Sequence, residues 1–188
     1  MRNFLLSCLL SLALPFQVMA QRLDAGVVVG NESALSIAIV PMPYQGANAA
    51  PEYDVASIIR NNLNRSGQFR SLEASNITEK PTQGSDVRYP IWKALKQDFV
   101  VVGRVLDASD GNYSIEYELI DVAKQQNLLS LKMPARAKNI RRSAHQVADQ
   151  IYEKILGVRG AFDTRIAYVT ASGLGQGIEY RLMVADSD

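Results

Sequence analysis

Apolar residues change their spacing several times along this chain, and each change marks a boundary between elements. A short β-branched run, SIAIVPM from Ser36 to Met42, is broken by Pro41 and Pro43 and has the length and composition of a buried strand. After the loop YQGANAAPE, residues Val55, Ile58, Ile59, Asn62 and Leu63 fall near helical spacing. They predict a helix from about Asp54 to Arg65, ended by Ser66-Gly67. FRSL, Phe69 to Leu72, reads as a second strand. The polar stretch from Glu73 to Gln83, with Pro81, reads as a loop, and a short helix around Pro90 to Lys96 presents Ile91, Trp92 and Leu95.

DFVVVGRVLD is the strongest strand signal, and Gly103 within it marks either a bulge or a close approach. Asp110-Gly111 turns the chain into NYSIEYELIDV. There Tyr113, Ile115, Tyr117 and Leu119 alternate with Ser114, Glu116 and Glu118, which predicts a half-exposed strand. A turn at Lys124 to Asn127 leads into LLSLKM, so Phe99 to Met133 is expected to be an antiparallel meander with one face covered by helices.

The longest predicted helix, about Ile140 to Leu156, can supply that cover. Ile140, Ala144, Val147, Ala148, Ile151 and Ile155 share one stripe, Gly157 supplies a stop and Asn139 is the candidate cap. Val100 to Val102 are expected to pack against Val147, Ile151 and Ile155. Arg141 and Arg142 sit at the positive end of the helix dipole, which points to a role other than helix stability. Beyond Gly160, Arg165 to Thr170 and Ile178 to Ala185 are again strand-like, joined through SGLGQG. The fold class is mixed α/β (α+β): a mixed β-sheet flanked by helices, followed by a β-hairpin.

The first twenty residues stand apart. One early charge (Arg2), an apolar run from Phe4 to Leu14, Pro15 and then Val18-Met19-Ala20 make a secretory signal with cleavage expected after Ala20, because the run is too short to span a bilayer. Leu6-Ser7-Cys8 imitates a lipoprotein site, but only three apolar residues precede Ser7. Released protein would start at Gln21. Cleavage removes the one cysteine and one of the 20 basic side chains, so that the remainder balance the 19 acidic ones. That excludes a disulfide framework, a thiol nucleophile and an overall basic field for nucleic acid. The Asn-x-Ser/Thr triplets at Asn31, Asn64, Asn76 and Asn112 carry little weight, since such triplets arise often by chance.

Few residues suggest chemistry. SGLGQG precedes an alternating segment, not a helix, so it reads as a hairpin connection and not a phosphate loop. His145 is the only histidine and lies one position off its helix stripe; Asp149, four residues on, could hold it in a structural role. Glu116 and Glu118 share a strand face that reads as solvated outer surface. Arg136, Lys138, Arg141 and Arg142 form a basic cluster suited to a protein or domain contact. No nucleophile-base pair or metal-ligand spacing is present, so neither an enzyme nor a cofactor is expected.

Segment by segment, SIAIVPM, GANAAPEYDVASIIRNNLNRSGQF, IWKALKQDFVVVGRV, DGNYSIEYELIDV and AHQVADQIYEKILGVRGAFDTRIAYV resemble the N-terminal half of TolB proteins, across nearly all of residues 35 to 170. RSGQF, DFVVVGRV and GAFDTRIAYV are the most specific matches. The resemblance implies a periplasmic Tol-Pal component without catalysis, acting in outer-membrane integrity and in constriction during cell division. It divides the chain into a signal peptide (1–20), an N-terminal arm (21–33), an α/β domain (34–160) and the truncated start of a β-propeller (161–188), whose hairpin is orphaned from the remaining strands. It further implies that the arm binds the C-terminal domain of TolA. Leu23, Val27, Val28 and Val29 would be the anchors if the mode is strand addition. Pal, contacted in that family mainly through the propeller, is not expected to bind this stretch appreciably. An exported small-ligand-binding protein is the alternative reading.

Overall fold

Leu35–Ile39 forms strand β1, and its last four residues are buried. A run with apolar side chains on both faces suits a strand covered on both sides. The computed structural model describes residues 34–173 and 177–186. Helix α1 (Val55–Arg65) is capped by Asp54, whose Oδ1 accepts from the amides of Ala56 at 3.0 Å and Ser57 at 3.3 Å. Those donors have no partner inside the helix, which is why an Asp is favoured there. Strand β2 (Phe69–Ser71) then returns parallel to β1.

The chain next crosses to the other side of β1. A loop carrying the short helix α2 (Tyr89–Ala94) leads to β3 (Phe99–Asp107), also parallel to β1. α2 ends before the expected Lys96, which takes a positive φ of 54°. Strands β4 (Tyr113–Asp121) and β5 (Gln126–Ala135) follow antiparallel, giving the sheet order β2-β1-β3-β4-β5. Helix α3 (Ile140–Leu156) has the bounds read from its apolar stripe and stops at Gly157, φ 73°. The mixed sheet flanked by helices is the expected architecture.

Two cores lie on opposite sides of this sheet. On one, Ile37, Ile39, Val101 and Leu119 meet Ile59 and Leu63 of α1 and Val147 and Ile151 of α3. On the other, Ala38, Val40, Val100, Val102 and Ile120 meet Ile77, Val87 and Trp92. Strand side chains alternate, so Val101 shares a core with the α3 stripe while Val100 and Val102 face away from it. This corrects the expectation that all three valines pack on α3.

The same second layer corrects β4. Ser114 is 3% exposed and Glu116 and Glu118 are only half-exposed, and at Glu118 and Ile120 it is the segment between β2 and β3 that covers a face alternation alone assigns to solvent. Gly103 is a close approach and not a bulge. The β3–β4 register runs unbroken from Phe99↔Asp121 to Asp107↔Tyr113, and a Cβ at Gly103 would lie 2.4 Å from the Glu116 carbonyl oxygen. The irregular register falls in β4–β5, between Leu119 and Ile120. Asn139 makes no side-chain cap bond; its amide closes a 3-10 turn onto the Arg136 carbonyl at 2.8 Å.

Beyond α3, β6 (Arg165–Ser172) and β7 (Glu179–Asp186) pair antiparallel as a separate two-stranded ribbon.

Candidate functional site

The sequence-predicted anchors Leu23, Val27, Val28 and Val29, and the cleavage position after Ala20, lie outside the described residues. Two surfaces at the far end of the chain carry the remaining candidates: the ribbon, and the cleft where it meets α3.

The ribbon is apolar on both faces. The register places Ala167 opposite Val184, Val169 opposite Leu182 and Ala171 opposite Tyr180 on one face, and Ile166 opposite Ala185 and Tyr168 opposite Met183 on the other. Leu182 is 72% and Tyr180 68% exposed. A ribbon with apolar side chains above and below and, among the described residues, two open edges has the chemistry of strands meant for further pairing and cover. Arg165 and Asp186 face each other at its base, Nε to Oδ1 at 3.5 Å. Ser172 pairs with Glu179, so SGLGQG connects two strands, as expected, and no helix N-terminus follows it.

At the start of α3, the basic residues Lys138, Arg141, Arg142 and Arg165 line a cleft of about 460 Å³ together with Asp163 and Asp186. The cluster read from the sequence is therefore partly neutralised: Arg142 Nε donates to both Asp163 oxygens, at 3.0 and 3.1 Å. His145 lines the same cleft and is 6% exposed. Its Nδ1 is 2.7 Å from Asn62 Nδ2 of α1, and Asn62 Oδ1 accepts from Arg65 at 2.9 Å. With the amide oxygen accepting from Arg65, it is the amide nitrogen that donates to Nδ1. The histidine thus joins α3 to α1 through Asn62, a different partner from the expected Asp149. Both Asp149 oxygens receive backbone amides, Phe162 N at 2.7 Å and Asp163 N at 3.1 Å.

The paired carboxylates of β4 are tied into the fold and only partly solvated. Glu116 accepts from Arg104 at 2.8 and 3.0 Å and from Lys132 at 3.2 Å; these bonds, Arg104's foremost, hold its carboxyl below the usual range. Glu118 accepts the Gly84 amide at 2.9 Å and pairs with Asn127. Asp107, at the end of β3, accepts from Tyr44 and from the amides of Ala47 at 2.7 Å and Asn48 at 3.2 Å. The Tyr44 bond first, then the two amides, lower its carboxyl, while partial burial and that same bond push the Tyr44 hydroxyl up to about 12. Among the described residues no group of three or more His, Cys, Asp or Glu side chains could hold a metal ion, and no helix is long and apolar enough to cross a membrane.

Residues 23–128 match the family described as the TolB amino-terminal domain. The Tol-Pal system proteins TolB of Xanthomonas euvesicatoria pv. vesicatoria (strain 85-10) and Xanthomonas axonopodis pv. citri (strain 306) are each 55% identical over 185 residues, covering 97% of this chain. This chain spans 42% of the length of those relatives. The crystal structure of TolB from Acinetobacter baumannii superposes with a TM-score of 0.67 at 30% identity, over 85% of this chain and 37% of that one.

Proposed function

The chain belongs to the TolB family, and from that premise we propose that it is a non-catalytic interaction module of the Tol-Pal system, exported to the periplasm, serving outer-membrane integrity and constriction during cell division. The match of residues 23–128 to the TolB amino-terminal domain carries this reading. In it, residues 1–20 are a signal peptide, 21–33 an arm, 34–160 the α/β domain and 161–188 the first strands of a β-propeller. The ribbon's two apolar faces support the last assignment, since a strand pair inside a blade needs cover on both sides.

The arm is the docking element for the C-terminal domain of TolA, with Leu23, Val27, Val28 and Val29 as side-chain anchors and backbone amides as the source of affinity. Pal makes no appreciable contact with this part of the molecule. A scaffold also fits the sheet better than a small-ligand receptor does. Open α/β sheets take ligands at the switch point where successive connections leave in opposite directions. Here that point, between β1 and β3, is filled by the chain itself: Val105 N donates to Pro43 O at 3.0 Å and Gln45 N to Val105 O at 2.8 Å, beside the Tyr44–Asp107 bond.

Titration calorimetry against the TolA C-terminal domain tests the reading. Binding is expected for protein beginning at Gln21 and lost on deletion of residues 21–33. Unchanged affinity after that deletion would remove the arm from the mechanism, and absence of binding in both forms would overturn the module itself. Mass spectrometry of the exported protein should find Gln21 as its first residue; an intact Met1, or lipid on Cys8, would overturn the export assignment.

A further inference from the structure

The segment joining α3 to the ribbon has the form of a linker, yet nearly every group in it is held. Asp149 reaches from the side of α3 and accepts the amides of both Phe162 and Asp163. Gly160 lies against the same residue so closely that a Cβ there would stand 2.4 Å from Asp149 Oδ1 and 2.7 Å from Asp149 Cα. Phe162 packs edge-on to Tyr152, with ring centres 5.5 Å apart, and Tyr152 packs on Phe69 of β2 at 6.0 Å. The Asp163 carboxylate turns back to α3, where Arg142 and the Gln146 amide, at 2.9 Å, hold it. Thr164 Oγ1 closes the turn on the Ala161 carbonyl at 2.9 Å.

We propose that residues 160–164 are a clasp that fixes the direction in which the ribbon leaves the α/β domain, with Asp149 as its pin. Three kinds of restraint act on these few residues: paired amides on one carboxylate, a half-buried ring packed against the core and a side chain bonded to two α3 residues. Each is attached to α3 and not to the ribbon, so the ribbon's exit is set before it makes any contact of its own. The clasp also gives Arg142 a task at the helix end where its charge is unfavourable. A partner engaging the ribbon and another engaging the domain are thereby held at one relative angle. Release of the clasp frees that angle without unfolding either part, because neither Asp149 nor Asp163 belongs to the apolar core.

The test uses the full chain with Cys8→Ser and two spin labels, one at Lys80→Cys on the domain and one at Leu182→Cys on the ribbon. One narrow distance distribution is expected in this parent, and a broad one in Asp149→Ala with a nearly unchanged thermal midpoint. Amide exchange at Phe162 and Asp163 should accelerate about tenfold or more, the scale of losing a hydrogen bond to a charged acceptor, while Val147 and Ile151 stay protected. Asp163→Ala, which leaves the pin in place, serves as a second variant should Asp149→Ala fail to fold, and should broaden the distribution as well. A broad distribution already present in the parent, or a narrow one that survives in a folded variant, would overturn the clasp.

Discussion

At the scale of single residues, the fold depends on positions where chemistry and space leave little choice. Gly103 is one, since its neighbours across β4 are backbone atoms of Glu116 and Tyr117 that cannot rotate away. Gly103→Ala should destabilise the protein by about 1 to 3 kcal/mol, the range for an added methyl in a packed site, as measured by urea denaturation. Glu116 is another. Bonded to Arg104 and Lys132, it ionises more readily folded than unfolded, so it contributes stability above the unfolded-state carboxyl range and loses it as pH falls through its lowered folded value. Asp107, held by Tyr44 and two amides, acts in the same sense. Glu116→Gln should therefore flatten the acid limb of the stability profile below about pH 4. A limb of unchanged steepness would show that other carboxyls govern it.

At the scale of elements, the two long helices differ from the ribbon in how they are stabilised. α1 and α3 each bury one stripe against the sheet, and His145 and Asn62 bridge them. Ile151, fully buried, should cost about 2 to 5 kcal/mol on truncation to alanine, and half-buried Ile155 distinctly less, read from shifts of the denaturation midpoint. Equal costs would mean that the stripe sits differently on the sheet. The ribbon has no comparable cover: every described residue in its strands is exposed. Two strands alone are marginal in water. Amide exchange should be fast from Arg165 onward while β3, at the centre of both cores, stays protected.

For the whole molecule, stability and interaction are divided between parts. The sheet, α1, α3 and the layer carrying Trp92 form a closed body with apolar residues covered on both sides, whereas the largest exposed apolar side chains are concentrated on the ribbon. Removing residues 165–188 should leave the thermal midpoint nearly unchanged and reduce the tendency to associate, checked by calorimetry and light scattering. Unfolding on this deletion would make the ribbon an integral part of the domain. This division suits the proposed module, in which a body stable by itself carries the exposed ribbon.

Much of this was determined by local sequence. The bounds of α3 follow from a stripe at helical spacing and a glycine able to take a positive φ, and those of α1 from an Asp with its apolar positions; such signals act within a few residues. The TolB resemblance was likewise carried by contiguous stretches, RSGQF and DFVVVGRV among them. What only the tertiary structure decided concerns which distant group arrives where. Alternation in β4 implied a solvated face, yet the segment between β2 and β3 packs Ile77, Val87 and, from helix α2, Trp92 against Ile120 on that face. Asp149 was four residues from His145, a spacing that suits a helix pair, yet its acceptors were taken by amides that the turn after Gly157 carries back along the helix. The GAFDT stretch was specific as a pattern, but its reason, a glycine pressed against Asp149, exists only in three dimensions. Hydrogen-bond partners far apart in sequence compete for the same groups, and which of them wins is decided when the chain closes on itself, not by spacing along it.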